Sequence, residues 1–101
     1  MHTVRSQNKV RIRLTDERWQ HIVDNHDELI GKRKLVLDTV TNPDIIIQGK
    51  QDELFAIHKI HRQWLVVIYK EIDSNDGFII TAFLTSRIAY LLKKTIIWKR
   101  P

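Results

Sequence analysis

The chain has 101 residues, of which 43% are hydrophobic and 29% charged, with 3 glycines and 2 prolines. This size and composition predict one compact domain over residues 1–101 and leave too little chain for a second one. The absence of cysteine excludes disulfides, thiolate metal sites and cysteine nucleophiles. The 17 Lys and Arg outnumber the 12 Asp and Glu, and the resulting net charge of +5 favours an anionic partner.

Two further features of the sequence concern targeting segments and clusters of charge. The first residues, MHTVRSQNKVRIRL, lack the apolar core of a signal peptide, and no apolar run approaches the roughly 20 residues that span a bilayer. A soluble, cytoplasmic protein without a membrane partner is therefore expected. The basic residues form three clusters: Arg5, Lys9, Arg11 and Arg13; Lys32, Arg33 and Lys34; and Lys93, Lys94, Lys99 and Arg100. Such clusters are more often solvated faces than binding sites, but on a small domain the three could converge on a polyphosphate.

The first half of the chain predicts one strand and two helices. Apolar side chains alternate with Arg11 and Arg13 over residues 10–14, as in a half-buried strand with a basic exposed face. Thr15 is a suitable N-cap and precedes two acidic residues, so a helix is expected over residues 16–26. A second helix over residues 32–41 ends before Pro43, because the residue preceding a proline avoids helical geometry.

After Pro43 the sequence is typical of an antiparallel meander, with short β-branched segments between polar turns. Strands are expected at residues 44–48, 54–60, 64–72 and 78–84, followed by a short helix or turn at 87–94 and a closing strand at 95–98. The predicted fold class is α+β. An N-terminal strand and two helices pack on one face of an antiparallel sheet of about four strands, and the other face is open.

His26 stands among the apolar positions of the first predicted helix. A helix turns about 100° per residue, so His26 shares a face with Trp19 and Ile22, whereas His21 points almost the opposite way. The two histidines are therefore not expected to serve one site. His26 is either a core-edge histidine bonded to a backbone carbonyl or a functional imidazole.

The residue types favour RNA cleavage over metal or serine chemistry. The histidine spacing gives little support to a metal site, and neither a glycine-rich phosphate loop nor a Gly-x-Ser-x-Gly elbow occurs. No cofactor is expected. RNA cleavage needs less, because the ribose 2′-hydroxyl is the nucleophile and the protein supplies a base, an acid and groups that stabilise the charged phosphorane.

Candidates for these roles occur in the first helix and on the last two strands of the meander, although each also has a structural interpretation as a solvated or packing side chain. They are His26 as acid or base, Lys70 and Arg87 as phosphate-binding cations, and Thr81, Thr85 and Ser86 as hydrogen-bond donors. Arg11 and Arg13 are further candidates for contact with a nucleic-acid backbone.

Strand periodicity groups these candidates by face. Residues 79, 81, 83 and 85 are expected on one face of their strand, so Thr81 and Thr85 lie together. Either Lys70 or the pair of Tyr69 and Glu71 joins them from the neighbouring strand, depending on register.

Four segments together resemble the phage-associated branch of the barnase, EndoU, colicin and RelE-like nuclease superfamily. They are WQHIVDNHDEL in the first helix, VTNPDII entering the sheet, and LVVIYKE and GFIITAFLTSR on two strands. The resemblance covers residues 11–98 and includes the order of elements. It implies a small metal-independent ribonuclease, toxin or toxin-like, with a helical part packed on a four-stranded antiparallel sheet.

The resemblance also implies which residues form the site. The helix histidine of the family matches His26, and its strand-borne hydroxyl and basic positions match Thr81, Thr85, Ser86 and Arg87. Active residues vary within the superfamily, and Glu71 is the only strand carboxylate available here as a base. The implied partners are RNA and an acidic antitoxin or immunity protein.

Two other functions stay open. The same basic edges would suit a non-enzymatic module that binds RNA or an acidic protein, with His26 in a structural role. The open sheet face would suit a small-ligand enzyme. The sequence does not predict the oligomeric state, the RNA or the bond that is cut.

Overall fold

The computed structural model describes all residues from Met1 to Pro101. Its elements in chain order are β1 (His2–Arg5), β2 (Arg11–Leu14), α1 (Asp16–Asn25), a 3-10 helix (Asp27–Leu29), α2 (Arg33–Thr41), β3 (Ile45–Gln48), β4 (Leu54–Ile60), β5 (Gln63–Glu71), β6 (Gly77–Thr85), α3 (Ala89–Leu92) and β7 (Thr95–Lys99). The predicted α+β class is confirmed. The expectation of about four antiparallel strands is wrong, because seven strands form one mixed sheet.

The strand order across the sheet is β1-β2-β6-β5-β4-β3-β7. All neighbours are antiparallel except β2 and β6, which are parallel. β1 was not predicted because its sequence HTVR has no buried residue and its only half-buried side chain is Val4. Its strand conformation depends on pairing with β2, which sequence periodicity cannot show.

Both faces of the sheet carry apolar packing. The larger core lies between the sheet and helices α1 and α2, and includes Trp19, Ile22 and Val40. A smaller cluster on the opposite face packs Ile57 and Val66 under Leu91 of α3. The expectation that this second face is open is therefore wrong where α3 covers it.

The sheet topology also separates two of the basic clusters. The β1–β2 hairpin carries the N-terminal cluster at one edge, and β7 carries the C-terminal cluster at the other edge. With neighbouring strands about 4.8 Å apart, the path across the six spacings from one edge to the other is about 29 Å. The three clusters therefore do not converge on one ligand.

Candidate functional site

A groove lies between α1 and β6 because β6 has a strand neighbour on one side only over most of its length. β2 pairs with β6 at Gly77 and Phe78 and then ends at Leu14. Thr15 caps α1 by accepting the Arg18 backbone N–H over 3.0 Å, so the chain continues as a helix beside β6. The space left open, which we call the α1–β6 groove, has a volume of about 490 Å³ and is lined by Arg18, His21, Asn25, His26, Ile80 and Thr81.

An extra residue in β6 changes which side chains of this strand face the groove. Tyr69 of β5 lies opposite Ile79, and the next residue pair is Ile68 with Thr81, so Ile80 is an extra residue in β6. A bulge of this kind reverses the alternation of side chains along a strand. Ile79 is therefore buried in the larger core, and the expectation that it shares a face with Thr81 is wrong.

His26 occupies the C-cap of α1. Its backbone N–H donates to Ile22 O over 2.8 Å, and its φ of −138° and ψ of 72° end the helix. The side chain is one third exposed, and its ring centroid lies 6.1 Å from that of Phe83 on β6. His26 is therefore not a core histidine, since its imidazole faces the open groove.

Glu28 links His26 to the unpaired edge of β6. One carboxylate oxygen, Oε2, lies 3.7 Å from His26 Nδ1 and accepts the Leu84 backbone N–H over 3.5 Å. The sequence predictions did not include Glu28, because its relation to His26 depends on the 3-10 helix that follows α1.

His21 lines the same groove as His26, so the expectation that the two histidines cannot serve one site is wrong. The prediction used the regular helical angle up to residue 26, whereas the helix ends at Asn25. The Asn25 side chain donates to His21 O over 2.9 Å and stabilises this last turn. Two imidazoles thus border one open space.

Arg18 supplies the groove with a cation that the sequence predictions missed. It takes part in none of the ion pairs of the structure. It also borders two adjoining cavities of about 260 and 180 Å³, one beside Glu17 and one beside Arg13 and Phe78. Arg18 therefore lines three neighbouring cavities along α1.

Arg13 is held by a carboxylate and is less free to bind a ligand. Its Nε and Nη2 donate to the two carboxylate oxygens of Asp76, each over 3.0 Å. This pairing lowers the pKa of Asp76, first through the hydrogen bond from Arg13, and raises the pKa of Arg13 for the same reason. Arg13 borders the site but its charge is already compensated.

Thr85, Ser86 and Arg87 lie outside the α1–β6 groove. The Thr85 hydroxyl accepts the Arg87 N–H over 3.0 Å and closes a tight turn after β6. Ser86 and Arg87 line a different cavity of about 550 Å³, next to α3. Since a strand rises about 3.3 Å per residue, Thr85 is about 13 Å from Thr81.

The other predicted residues are also dispersed. Register places Lys70 opposite Phe78, on the same sheet face as Thr81, while Tyr69 is buried in the core. Glu71 accepts hydrogen bonds from Ser6 Oγ over 2.6 Å and Asn8 Nδ2 over 3.0 Å, which holds the β1–β2 turn. Arg11 is exposed on β2 opposite Arg5. Of the predicted residues, His26 and Thr81 meet in the groove.

A second carboxylate–histidine pair was missed by sequence reasoning. His58 Nδ1 lies 3.1 Å from Asp44 Oδ2, which also accepts the Lys59 backbone N–H over 2.8 Å. The Arg100 guanidinium lies 3.4 Å from the other oxygen of Asp44 and donates to Asn42 O over 2.8 Å. These contacts join the end of the chain to the start of β3, which is a structural role.

No protein-family model, curated protein or solved structure matches this chain. None of the helices combines the length and apolar composition needed to cross a membrane. No three His, Asp or Glu side chains are grouped as a metal site would require.

Proposed function

We propose that this chain is a metal-independent, toxin-like ribonuclease whose site is the α1–β6 groove. The observation that carries the proposal is the shared position of His26 and His21 beside Arg18 and Thr81. Two imidazoles can exchange protons near neutral pH, and a cation with a hydroxyl can stabilise a charged phosphate. These are the functions that RNA cleavage requires.

In the proposed reaction, His26 takes the proton from the ribose 2′-hydroxyl. The 2′-oxygen then bonds to phosphorus, the bond from phosphorus to the 5′-oxygen breaks, and His21 gives a proton to that leaving oxygen. The products are a 2′,3′-cyclic phosphate and a free 5′-hydroxyl. Glu28 supports the assignment of His26 as the base, because its carboxylate 3.7 Å away stabilises the imidazolium that forms.

The remaining groove residues would hold the scissile phosphate. Arg18 has no carboxylate partner in an ion pair, so its guanidinium is available to a phosphate. Thr81 and Asn25 present donors on opposite walls of the groove. The groove is open and basic, which suits an extended anionic strand better than a small apolar ligand.

The direct test is cleavage of total RNA by the purified protein in EDTA. Replacing His26 with Ala should reduce the rate by about 10²- to 10⁴-fold, which is the usual contribution of an acid–base residue. His61→Asn is the matched control, because His61 is exposed in the β4–β5 turn with a φ of 55° that Asn tolerates. Equal rates for both variants would overturn the proposal, as would intact RNA at every protein concentration.

The second candidate function is a non-enzymatic module that binds RNA or protein. It is favoured by the free edge of β6, since residues 79–85 have no strand partner on the α1 side. Such an edge can pair with an extended segment of another chain. Under this alternative the protein would bind an anionic partner with unchanged affinity after His26→Ala.

The proposal extends to a partner and a place of action. A toxin-like ribonuclease needs an inhibitor, and the net charge of +5 favours an acidic antitoxin or immunity protein that covers the groove. Because cellular RNA is the proposed substrate, the proposed place of action is the cytoplasm. Co-expression with such a partner should suppress the cleavage measured in EDTA.

A further inference from the structure

A further cavity lies beside α3 and contains the most exposed aromatic ring of the chain. We call it the α3 cavity; its volume is about 550 Å³ and it is lined by Ser86, Arg87, Ile88, Ala89, Tyr90 and Lys93. Tyr90 is 52% exposed, whereas every other Trp, Tyr and Phe is buried or half-buried. An exposed ring beside an apolar wall is suited to stack on a planar ligand.

The cations of this cavity are free of carboxylates. Arg87 and Lys93 take part in none of the ion pairs of the structure. No acidic residue follows Asp76 in the sequence, so the whole segment that forms the cavity is basic. A ligand with negative charge therefore meets two uncompensated positive charges.

The turn after β6 orders the Arg87 side of the cavity. Thr85 Oγ accepts the Arg87 N–H over 3.0 Å and donates to Arg87 O over 3.2 Å. Trp64 lies directly opposite Thr85, with the Lys59 ammonium 5.4 Å above its ring. A pair of a cation and an aromatic ring thus also borders this end of the sheet face.

Thr81 in the groove and Thr85 next to the α3 cavity belong to one face of β6, although α1 itself packs on the opposite face. Register places Thr81, Phe83 and Thr85 on the same face, opposite alternate residues of β5. The ring of His26 lies beside Phe83, midway between the two threonines. Thr81 and Thr85 are about 13 Å apart, which is the length of about four nucleotides of a stacked strand at about 3.4 Å each.

We infer that the α3 cavity binds one nucleotide of a single-stranded RNA, with the base stacked on Tyr90 and its phosphate held by Arg87 and Lys93. The path of the RNA from this cavity to the α1–β6 groove rests on the proposed function, whereas the binding of a nucleotide in the α3 cavity does not. Under this inference Ser86 and Arg87 line a binding cavity, and Arg87 holds a phosphate there and takes no part in the chemical step.

The test measures binding of a labelled oligouridylate to the His26→Ala protein, which separates affinity from cleavage. Adding Tyr90→Ala should weaken binding by about 5- to 150-fold, the loss expected for one stacked base. Tyr90→Phe should bind like the parent, because the ring is kept. Leu92→Ala is the matched control, since Leu92 is exposed on the same helix but does not line the cavity.

Salt dependence supplies a second readout that does not depend on Tyr90. Arg87→Ala should make the log-log slope of affinity against salt shallower by about 0.7, the value for one phosphate contact on a single strand. Lys34→Ala should leave the slope unchanged, because Lys34 is paired with Asp38 at 3.1 Å on α2.

The possible outcomes separate this inference from the proposed function. If Tyr90→Ala binds RNA as tightly as the parent, the inference is overturned whatever the cleavage assay shows. If polyglutamate binds with the same dependence on Tyr90 as RNA, the cavity is a site for an acidic protein and the inference is also overturned. If the protein cleaves no RNA but Tyr90→Ala still weakens binding, the proposed function fails and the inference stands.

Discussion

Tyr69 carries the one buried side-chain polar atom of this protein that has no hydrogen-bond partner. Its side chain is fully buried in the larger core, and its hydroxyl has no hydrogen-bond partner. Burial raises the pKa of Tyr69, with a smaller contribution from the charge of Glu71. A buried hydroxyl without a partner costs about 1–3 kcal/mol.

Tyr69→Phe should therefore stabilise the protein by about 1 kcal/mol and raise its Tm by about 4–8 °C. The raised pKa adds a dependence on pH: an unfolded tyrosine ionises above its ordinary value of 10.0, whereas the buried one stays neutral. The wild type should lose stability as the pH rises above that value, and Tyr69→Phe should lose less. Thermal melts from pH 7 to 11 measure both effects; a lower Tm for the variant at pH 7 would contradict this account.

Glu28 is the residue that most directly tests how His26 is positioned. Glu28→Gln keeps the size of the side chain and its contact with the Leu84 N–H but removes the charge beside His26. Because Glu28 acts through His26, kcat should fall by about tenfold or more while KM stays within a factor of two. Steady-state kinetics on a defined RNA would measure both constants, and a change confined to KM would show that Glu28 has another role.

The candidate site was partly predictable at the level of single residues. His26 and Thr81 could be chosen because an imidazole and a hydroxyl are the groups that the proposed chemistry needs, and both line the groove. His21, Arg18 and Glu28 could not, because their relation to His26 depends on where α1 ends. A C-cap residue leaves the helical angle, so helical periodicity gives a wrong direction for its side chain.

At the scale of elements, β6 determines where the candidate site lies, because it pairs with two strands, β2 and β5, at its start and then has only β5 as a neighbour. Gly77 is the first residue of β6 and is flanked by Ile12 of β2 on one side and by Glu71 of β5 on the other. A Cβ at this position would collide with the Lys70 carbonyl oxygen and approach Ile12 Cδ1 to 2.6 Å. The backbone oxygen cannot move away without breaking the sheet.

Gly77→Ala should therefore lower the free energy of unfolding by about 1–3 kcal/mol, the usual cost of overpacking. Urea denaturation measures this change. Ser74→Ala is the control, because Ser74 is exposed in the turn that precedes Gly77. If both variants unfolded at the same urea concentration, the close packing of β2 against β6 would be refuted.

The ion pair of Arg13 and Asp76 also supports the short contact between β2 and β6. The pKa of Asp76 is lowered in the folded state, so its contribution to stability is present above its ordinary value of 3.8 and is lost as the pH falls through the folded value. Asp76→Asn should be less stable than the wild type at pH 7, and the difference should shrink below about pH 4. Melting curves across this range would test it; a difference that stayed constant with pH would contradict the assignment.

The elements themselves were largely predictable, whereas their arrangement in the sheet was not. Local periodicity and capping located α1, α2 and strands β2 to β7 within one or two residues of their observed ends. The pairing of β1 with β2, the parallel contact of β2 with β6 and the bulge at Ile80 depend on partners distant in the sequence. Such pairings leave no local signal, so the number of strands and the faces of β6 could not be predicted.

For the whole molecule, charge and topology together determine where the basic surfaces lie. The C-terminal segment of the chain is basic and the acidic residues precede it. Since β1 and β7 are at opposite edges of the sheet, their basic clusters act as separate surfaces. The groove beside α1 and the cavity beside α3 instead both border β6, as the proposed binding of one extended RNA requires.

The end groups of the cleaved RNA test the central claim most directly. A defined oligoribonucleotide is incubated with the protein in EDTA, and the fragments are identified by mass. The account predicts a 2′,3′-cyclic phosphate on one fragment and a 5′-hydroxyl on the other, and no cleavage where the ribose carries a single 2′-deoxy substitution. Fragments with a 5′-phosphate and a 3′-hydroxyl, or cleavage that persists at the 2′-deoxy position, would contradict it.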